Sequence, residues 1–339
     1  MKYTELLSLK LPWKKLQHAN ILLTGGNGLI VSSFADALME LNSKLSLDLN
    51  IYVLCRNAEK AAQRFGAYKA IDHFHLIIQD VSSPLDLDIH FQYIFHGASS
   101  ADPEAFNSVP VDVMKSNFLG TLNLLQYAAQ YSNSRLIFIS SSEVYGENLN
   151  GVEKFSEEMP GQVDYTKFRS CYPESKRASE TLCMSFKKQY NSDVVIVRPA
   201  FIYGKDILDS NTRADVYFLR QVLRHEDIPM YSEGTQVRSY CYISDCISGM
   251  LYAALLGDSG EVYNIGNEKS IVTLKEYAQA LADIGGVTLR YEPRSAPSNV
   301  IFLKTQRCVL DTQKLEQLGW QPKYGLKEGI QHMLFGFKE

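Results

Sequence analysis

Near its start the chain reads Ile21-Leu22-Leu23-Thr24-Gly25-Gly26-Asn27-Gly28-Leu29-Ile30. An apolar run leads directly into a glycine-rich turn and then into a helical pattern. Glycines let a backbone approach a pyrophosphate closely, and a helix start supplies unpaired N–H groups and the positive end of its dipole. After a first strand and before a helix, such a turn reads as a phosphate loop, with Gly25, Gly28, Leu29 and Ile30 as cofactor contacts. Val31 stands where a third glycine usually lets helix and strand pack closely. Its branched side chain must either push the helix outward or fill a gap left by other residues.

The rhythm set by this turn continues. Strand candidates at Ile21–Thr24, Ile51–Cys55, His75–Gln79, Tyr93–Gly97, Leu136–Ser140 and Val194–Arg198 alternate with helical patterns at Ser32–Leu41, Ala58–Phe65, Val113–Tyr131 and Tyr172–Tyr190. Apolar, β-branched strands separated by helices imply a parallel sheet buried on both faces. The expected fold is α/β, a Rossmann-like doubly wound parallel sheet. Beyond Arg198, Gly- and Pro-punctuated stretches alternate with short helices such as Val216–His225 and Leu274–Ile284. Residues 20–198 therefore read as the dinucleotide-binding domain, and 199–339 mainly as a smaller substrate-binding lobe with possible crossing back. Residues 1–19 read as an arm docking through Trp13.

The net charge of −4, with 34 basic and 38 acidic residues well mixed, lacks the electrostatic footprint of a nucleic-acid binder. No apolar run approaches the roughly 20 residues needed to span a bilayer, so no membrane partner is expected. The first residues lack a signal-peptide pattern. The six cysteines make no CxxC pair, and the seven histidines no metal-ligand spacing, so no metal is expected and reduced thiols in a cytoplasm fit best.

The second strand bears on the cofactor. NAD-binding folds often end it with Asp or Glu, which bonds the ribose 2′-OH. Here it ends Val53-Leu54-Cys55-Arg56-Asn57, with no carboxylate. Arg56 could meet a 2′-phosphate, which favours NADP over NAD modestly; it could equally be a solvated residue or stack on adenine.

Tyr172-Pro173-Glu174-Ser175-Lys176 opens a helix, and a spacing of four puts Tyr172 and Lys176 on one face. A phenol titrates near ~10, too high for a base at neutral pH. A nearby ammonium stabilises the phenolate and lowers that value. Ser141 ends a preceding strand, where its hydroxyl can hydrogen-bond the reacting oxygen.

With these segments stand Asp80-Val81, His96-Gly97-Ala98-Ser99, Asn117-Phe118-Leu119-Gly120-Thr121, Ser140-Ser141-Ser142-Glu143-Val144-Tyr145-Gly146 and Arg198-Pro199, in one order along almost the whole chain. The chain resembles the extended short-chain dehydrogenase/reductases that modify nucleotide-sugars, the NAD-dependent epimerase/dehydratase family. The resemblance implies Ser141, Tyr172 and Lys176 as a catalytic trio. It implies Asp80 and Val81 beside the adenine, Ala98 and Ser99 beside the cofactor's central stretch, and Asn117 and Pro199 as further cofactor contacts. It also implies substrate contacts from Ser100, Ser142, Arg198, Phe201, Arg238 and Arg307. Arg238, in Arg238-Ser239-Tyr240-Cys241-Tyr242, matches a diphosphate-binding arginine, and the guanidinium fork suits phosphate oxygens.

Within that family the chain is most similar to UDP-glucuronate decarboxylases, through Asp80-Val81-Ser82-Ser83-Pro84-Leu85, Ser-Ser-Glu-Val-Tyr-Gly at 141–146, and Arg169-Ser170-Cys171-Tyr172 with Lys176-Arg177. Those enzymes oxidise C4 of the sugar, lose the C5 carboxylate and return the hydride. Glu143 supplies a carboxylate that a C4 epimerase does not need. A 4,6-dehydratase usually places Asp where Ser142 stands. Phe201 replaces an Asn that many relatives use for the diphosphate or sugar. It keeps open an NADPH-dependent reductase of a nucleotide-linked keto sugar, beside a dehydratase, a C4 epimerase and a cofactor-binding scaffold without activity. The resemblance also implies a homodimer built on the two long helices.

Overall fold

The computed structural model describes residues 3–205, 211–292 and 307–337. The first domain begins with β1 (Asn20–Thr24), α1 (Leu29–Leu45), β2 (Asn50–Cys55), α2 (Ala58–Phe65), β3 (Phe74–Ile78) and β4 (Tyr93–His96). It continues through α3 (Pro103–Ser108), α4 (Pro110–Ala128), β5 (Arg135–Ile139), α5 (Cys171–Tyr190) and β6 (Asp193–Pro199). Then come β7 (Phe201–Tyr203), α6 (Ala214–Leu223), β8 (Ile228–Met230), β9 (Val237–Tyr242), α7 (Ile243–Leu256) and β10 (Val262–Ile265). The chain closes with β11 (Ile271–Thr273), α8 (Leu274–Gly285), β12 (Leu289–Tyr291), β13 (Arg307–Cys308), α9 (Gln313–Glu316) and α10 (Leu326–Phe335).

Seven strands form one sheet in the order β10-β6-β5-β4-β1-β2-β3, and every pair in it is parallel. The uninterrupted apolar runs are explained by helices on both faces: Ile21, Leu22, Leu23, Leu136, Ile137, Phe138, Val194 and Val195 are fully buried. Strand order reverses between β1 and β4, so their C-terminal loops open a crevice at the switch point.

The chain crosses back from the second lobe to the first in two places. β10 lies well beyond residue 199 yet pairs with β6 and extends the first sheet, and α7 supplies buried residues to the same core as α1. The second lobe is thus interleaved with the first. Its own sheet is built on β9, flanked by β11 and β13 and paired with β7. The N-terminal arm docks through Tyr3, Leu6, Leu11 and Leu16, all buried, while Trp13 is only partly covered. Its Tyr3 N–H donates to Glu40 at 2.6 Å and its Lys15 to the Leu255 carbonyl at 2.7 Å, which ties α1 to α7. All six cysteines are buried and free. No helix among the described residues is long and apolar enough to cross a membrane.

Candidate active site

The crevice is lined by backbone. Gly25 has φ +86°, and a Cβ there would stand 2.7 Å from the Ala98 backbone. A Cβ on Gly26 would meet Val53 at 2.2 Å. Only glycine fits this approach of the two loops. Gly28 is the N-cap of α1 and offers no side chain, so the first N–H groups of the helix face the crevice uncapped, with Leu29 and Ile30 in its first turn. Thr24 joins the loops, sharing a 2.8 Å hydrogen bond with His96 Nδ1 and accepting from the Ala98 N–H at 3.3 Å. Burial, and then the Lys176 charge, hold His96 near a pKa of about 3, so its ring is neutral.

Val31 fills a gap. A Cβ on Gly97 would fall 2.6 Å from Val31 Cγ2, so the volume added on α1 is taken out of the β4 loop. Two polar atoms in this region are buried without a hydrogen-bond partner among the described residues, Asn27 Oδ1 and Ser99 Oγ. Uncapped N–H groups, a glycine cradle and orphaned polar atoms fit a dinucleotide. At its adenosine end Arg56 stands 3.8 Å from Asp80, whose other oxygen accepts from the Ser82 N–H and hydroxyl at 2.9 and 2.7 Å. That Ser82 bond, and then Arg56, hold the Asp80 carboxyl below its usual range. A carboxylate absent from the tip of β2 is thus supplied from the end of β3. Val81 is buried against Gly120 of α4. Asn117 ties α4 to α5 by donating to Ser175 at 2.8 Å, and its Oδ1 has no hydrogen-bond partner among the described residues. Pro199 closes β6.

Tyr172 and Lys176 lie one turn apart at the buried start of α5. Burial first and the Glu143 carboxylate second push the Tyr172 pKa up to about 12, against a lowering by the nearby Ser141 side chain. The Lys176 ammonium donates to the Ile139 carbonyl at 2.7 Å and lies 4.8 Å above the Phe138 ring and 6.0 Å from the Tyr172 ring. Burial lowers its pKa to about 7, against a partial opposing effect of Glu180. The groups that lower the phenol's pKa here are Ser141, Arg213 and Arg169. The ammonium is aimed at a backbone carbonyl, and its own charge is weakened by burial.

Glu143 lies two residues beyond Ser141 in a short 3-10 turn, its N–H donating to Ser141 Oγ at 3.1 Å. Ser142 is buried in the same turn, and Ser100 is half-buried in the loop after β4. Arg238 lies 4.0 Å over the Phe201 ring, so Phe201 meets the predicted diphosphate partner as a stacking surface.

Two expected substrate contacts point elsewhere. Arg198 is buried and committed inside the protein, donating to Glu180 at 3.0 and 2.7 Å, to the Tyr145 hydroxyl at 2.8 Å and to the Glu157 carbonyl at 3.0 Å. In β13 it is Cys308 that pairs with Arg238, so strand alternation turns Arg307 to the opposite face. Arg307 donates there to the Glu153 carbonyl at 2.9 Å. Three other residues reach the Tyr172 region without having been expected. Phe106 stacks on the phenol with ring centres 4.9 Å apart. Arg169 pairs with Glu143 at 3.3 Å, and Arg213 pairs with Asp215 while lowering the phenol's pKa. Arg169 stands within the Arg169-Ser170-Cys171-Tyr172 segment without an assigned role, while Phe106 and Arg213 lie outside the motifs.

The sequence model of the NAD dependent epimerase/dehydratase family matches residues 21–266. The chain belongs to that family. Among curated relatives of this epimerase/dehydratase chain, UDP-glucuronic acid decarboxylase 5 of Arabidopsis thaliana is 33% identical over 321 residues, covering 94% of this chain and 89% of that protein. UDP-glucuronic acid decarboxylase 1 of Xenopus tropicalis is 32% identical, covering 94% and 72%. A UDP-glucose 4-epimerase from Thermotoga maritima, solved with UDP-glucose, superposes with a TM-score of 0.77 at 25% identity, covering 94% and 98%. A dTDP-glucose 4,6-dehydratase from Bacillus anthracis, solved with NAD, gives 0.78 at 22% identity, covering 94% and 96%. The chain is thus an enzyme of the NAD-dependent epimerase/dehydratase class with the Rossmann-like fold expected of it.

Proposed function

We propose that the chain removes carbon dioxide from a nucleoside-diphosphate hexuronic acid, UDP-glucuronic acid in the first place, through transient oxidation at C4. The observation that carries the reading is a carboxylate residue, Glu143, tied to Ser141 by a 3.1 Å bond from its N–H to Oγ and placed beside the Tyr172 phenol. The family match and the decarboxylase relatives support it. In this reading Tyr172 takes the proton of the C4 hydroxyl while Ser141 hydrogen-bonds its oxygen. NAD, when bound along Gly25, Gly28, Leu29, Ile30, Ala98, Ser99 and Pro199, supplies the hydride acceptor. A C4 ketone makes the C6 carboxylate a β-keto acid, so the C5–C6 bond breaks and its electrons pass into an enolate. Tyr172 and Ser141 then stabilise the enolate oxygen. Glu143 directs the proton that C5 takes up from water, and return of the hydride to C4, with the Tyr172 proton passing to its oxygen, restores the C4 hydroxyl. Arg238, backed by Phe201, is the diphosphate partner.

The exposed apolar residues Val111, Met114, Phe118 and Leu119 on α4 and Met184 on α5 support pairing of two copies through these helices. Six buried free thiols suit a reducing compartment such as the cytoplasm.

Mass spectrometry after incubation with a panel of nucleotide-sugars, with and without NADPH, tests the reading. Conversion of UDP-glucuronic acid to a UDP-pentose with no net cofactor consumption is expected. Stoichiometric use of NADPH on a keto sugar identifies a reductase instead.

A further inference from the structure

Arg169 lies outside the Ser141, Tyr172 and Lys176 set, yet contacts from three elements build it into the site. It sits in a short 3-10 turn, Phe168–Ser170, just ahead of α5, with its side chain only 9% exposed. Both terminal nitrogens donate to one oxygen of Glu143, Oε2, at 3.3 Å. The guanidinium carbon lies 4.3 Å from the centre of the Phe106 ring. Phe106, carried by α3, stacks in turn on Tyr172 with 26° between the rings. Glu143 is joined to Ser141 through its N–H, and the Ser141 side chain lies near enough to the Tyr172 hydroxyl to lower its pKa. Arg169, Phe106, Glu143 and Ser141 are thus grouped about the phenol.

A carboxylate beside a phenol that must ionise is a liability, because its negative charge opposes the phenolate. Around Tyr172 the charged and titratable groups are Glu143 from the loop after β5, Arg169 and Cys171 from the start of α5, Lys176 one turn on, and Arg213 ahead of α6. Arg213 is engaged by Asp215 through two hydrogen bonds. The Arg169 charge is the one placed directly on Glu143.

We propose that Arg169 is a positioning residue: it holds Glu143 by one carboxylate oxygen, leaves the other free for the sugar, and offsets part of the charge that the Tyr172 phenol would otherwise feel. The part played toward the sugar rests on the decarboxylase reading; the effect on Tyr172 does not.

The test is an ultraviolet difference titration of the NAD-loaded protein against its Tyr172→Phe counterpart, which reads the ionisation of that phenol without substrate. Arg169→Gln should raise the midpoint by about one pH unit. Arg169→Lys, which keeps the charge, should hold it near the wild-type value. The Glu143→Gln/Arg169→Gln pair, which removes both charges, should bring it back. If Arg169→Gln does not fold, Glu143→Gln alone should lower the midpoint. An unchanged midpoint in folded Arg169→Gln, or in Glu143→Gln, overturns the proposal, as does failure of the double variant to restore it. The pH profile of kcat/KM on UDP-glucuronic acid separates the two readings. A shifted titration with no turnover of that substrate leaves Arg169 in its role and removes the decarboxylase.

Discussion

Val31 and Gly97 are complementary in volume: the valine on α1 occupies the space a Cβ on Gly97 would need, 2.6 Å from its Cγ2. Gly97→Ala should therefore cost about 1–3 kcal/mol by overpacking. Val31→Ala should cost about 1 kcal/mol through lost apolar contact. Combined, they should cost less than their sum by at least ~0.5 kcal/mol, since residues in contact couple. Urea denaturation of the four proteins checks this, and strict additivity would show that the two positions do not share the gap.

Lys176 carries a stability cost that depends on pH. Its folded-state pKa, about 7, lies below the ordinary lysine value of 10.5 because of burial. The unfolded chain therefore binds the proton more tightly. The cost is present in full below about pH 7 and fades as pH rises toward ~10.5. Lys176→Met should abolish turnover yet raise stability by ~1–3 kcal/mol near pH 6, less what is lost with the bond to the Ile139 carbonyl. That advantage should shrink near pH 9. Urea midpoints at the two pH values test it, and a constant difference would contradict the ionisation of a buried lysine.

At the adenosine end, Asp80 engages the Arg56 guanidinium at 3.8 Å. Both side chains are well exposed, so the pair is weak, in the range of ~0.2–1 kcal/mol. Asp80→Asn should free Arg56 for a 2′-phosphate and raise the ratio of NADP to NAD affinity by about 2–5-fold. Fluorescence titration of both cofactors against both proteins decides it. An unchanged ratio would mean that Arg56 does not read the 2′ position.

Arg198 is an interior ion-pair residue. Arg198→Ala leaves Glu180 buried without its partner, which should cost about 3–5 kcal/mol. Substrate KM in the fraction that folds should stay near the wild-type value. Thermal denaturation and KM measured together check this. A stable variant with a greatly raised KM would return Arg198 to the substrate site.

The parts of this site that were legible in the sequence are those written in local spacing. The glycine turn after an apolar strand, Tyr172 four residues before Lys176, and Ser141 at a strand end each depend on neighbours a few residues away. What depends on distant partners was not legible. Arg198 and Arg238 are equally cationic on paper, but Glu180 claims the first and Phe201 backs the second. Arg307 was misplaced because one step along a strand reverses the face. Arg169 stood in a motif without a role, because its partner lies 26 residues away. β10 joined the first sheet across a stretch whose short elements read locally as a separate lobe, because parallel pairing with β6 leaves no mark in the intervening sequence.

The central claim is that Tyr172 drives reversible oxidation of a hexuronic acid at C4, followed by loss of its carboxylate. Rapid mixing of the NAD-loaded protein with UDP-glucuronic acid, followed at the reduced-nicotinamide absorbance with carbon dioxide release measured in parallel, tests it most directly. The predicted result is a transient rise and fall of reduced cofactor accompanied by carbon dioxide. The rise should be slowed by about 10²–10⁴-fold in Tyr172→Phe, and the fall blocked in Glu143→Gln. No transient in the wild type, or a transient of normal rate in Tyr172→Phe, would contradict it.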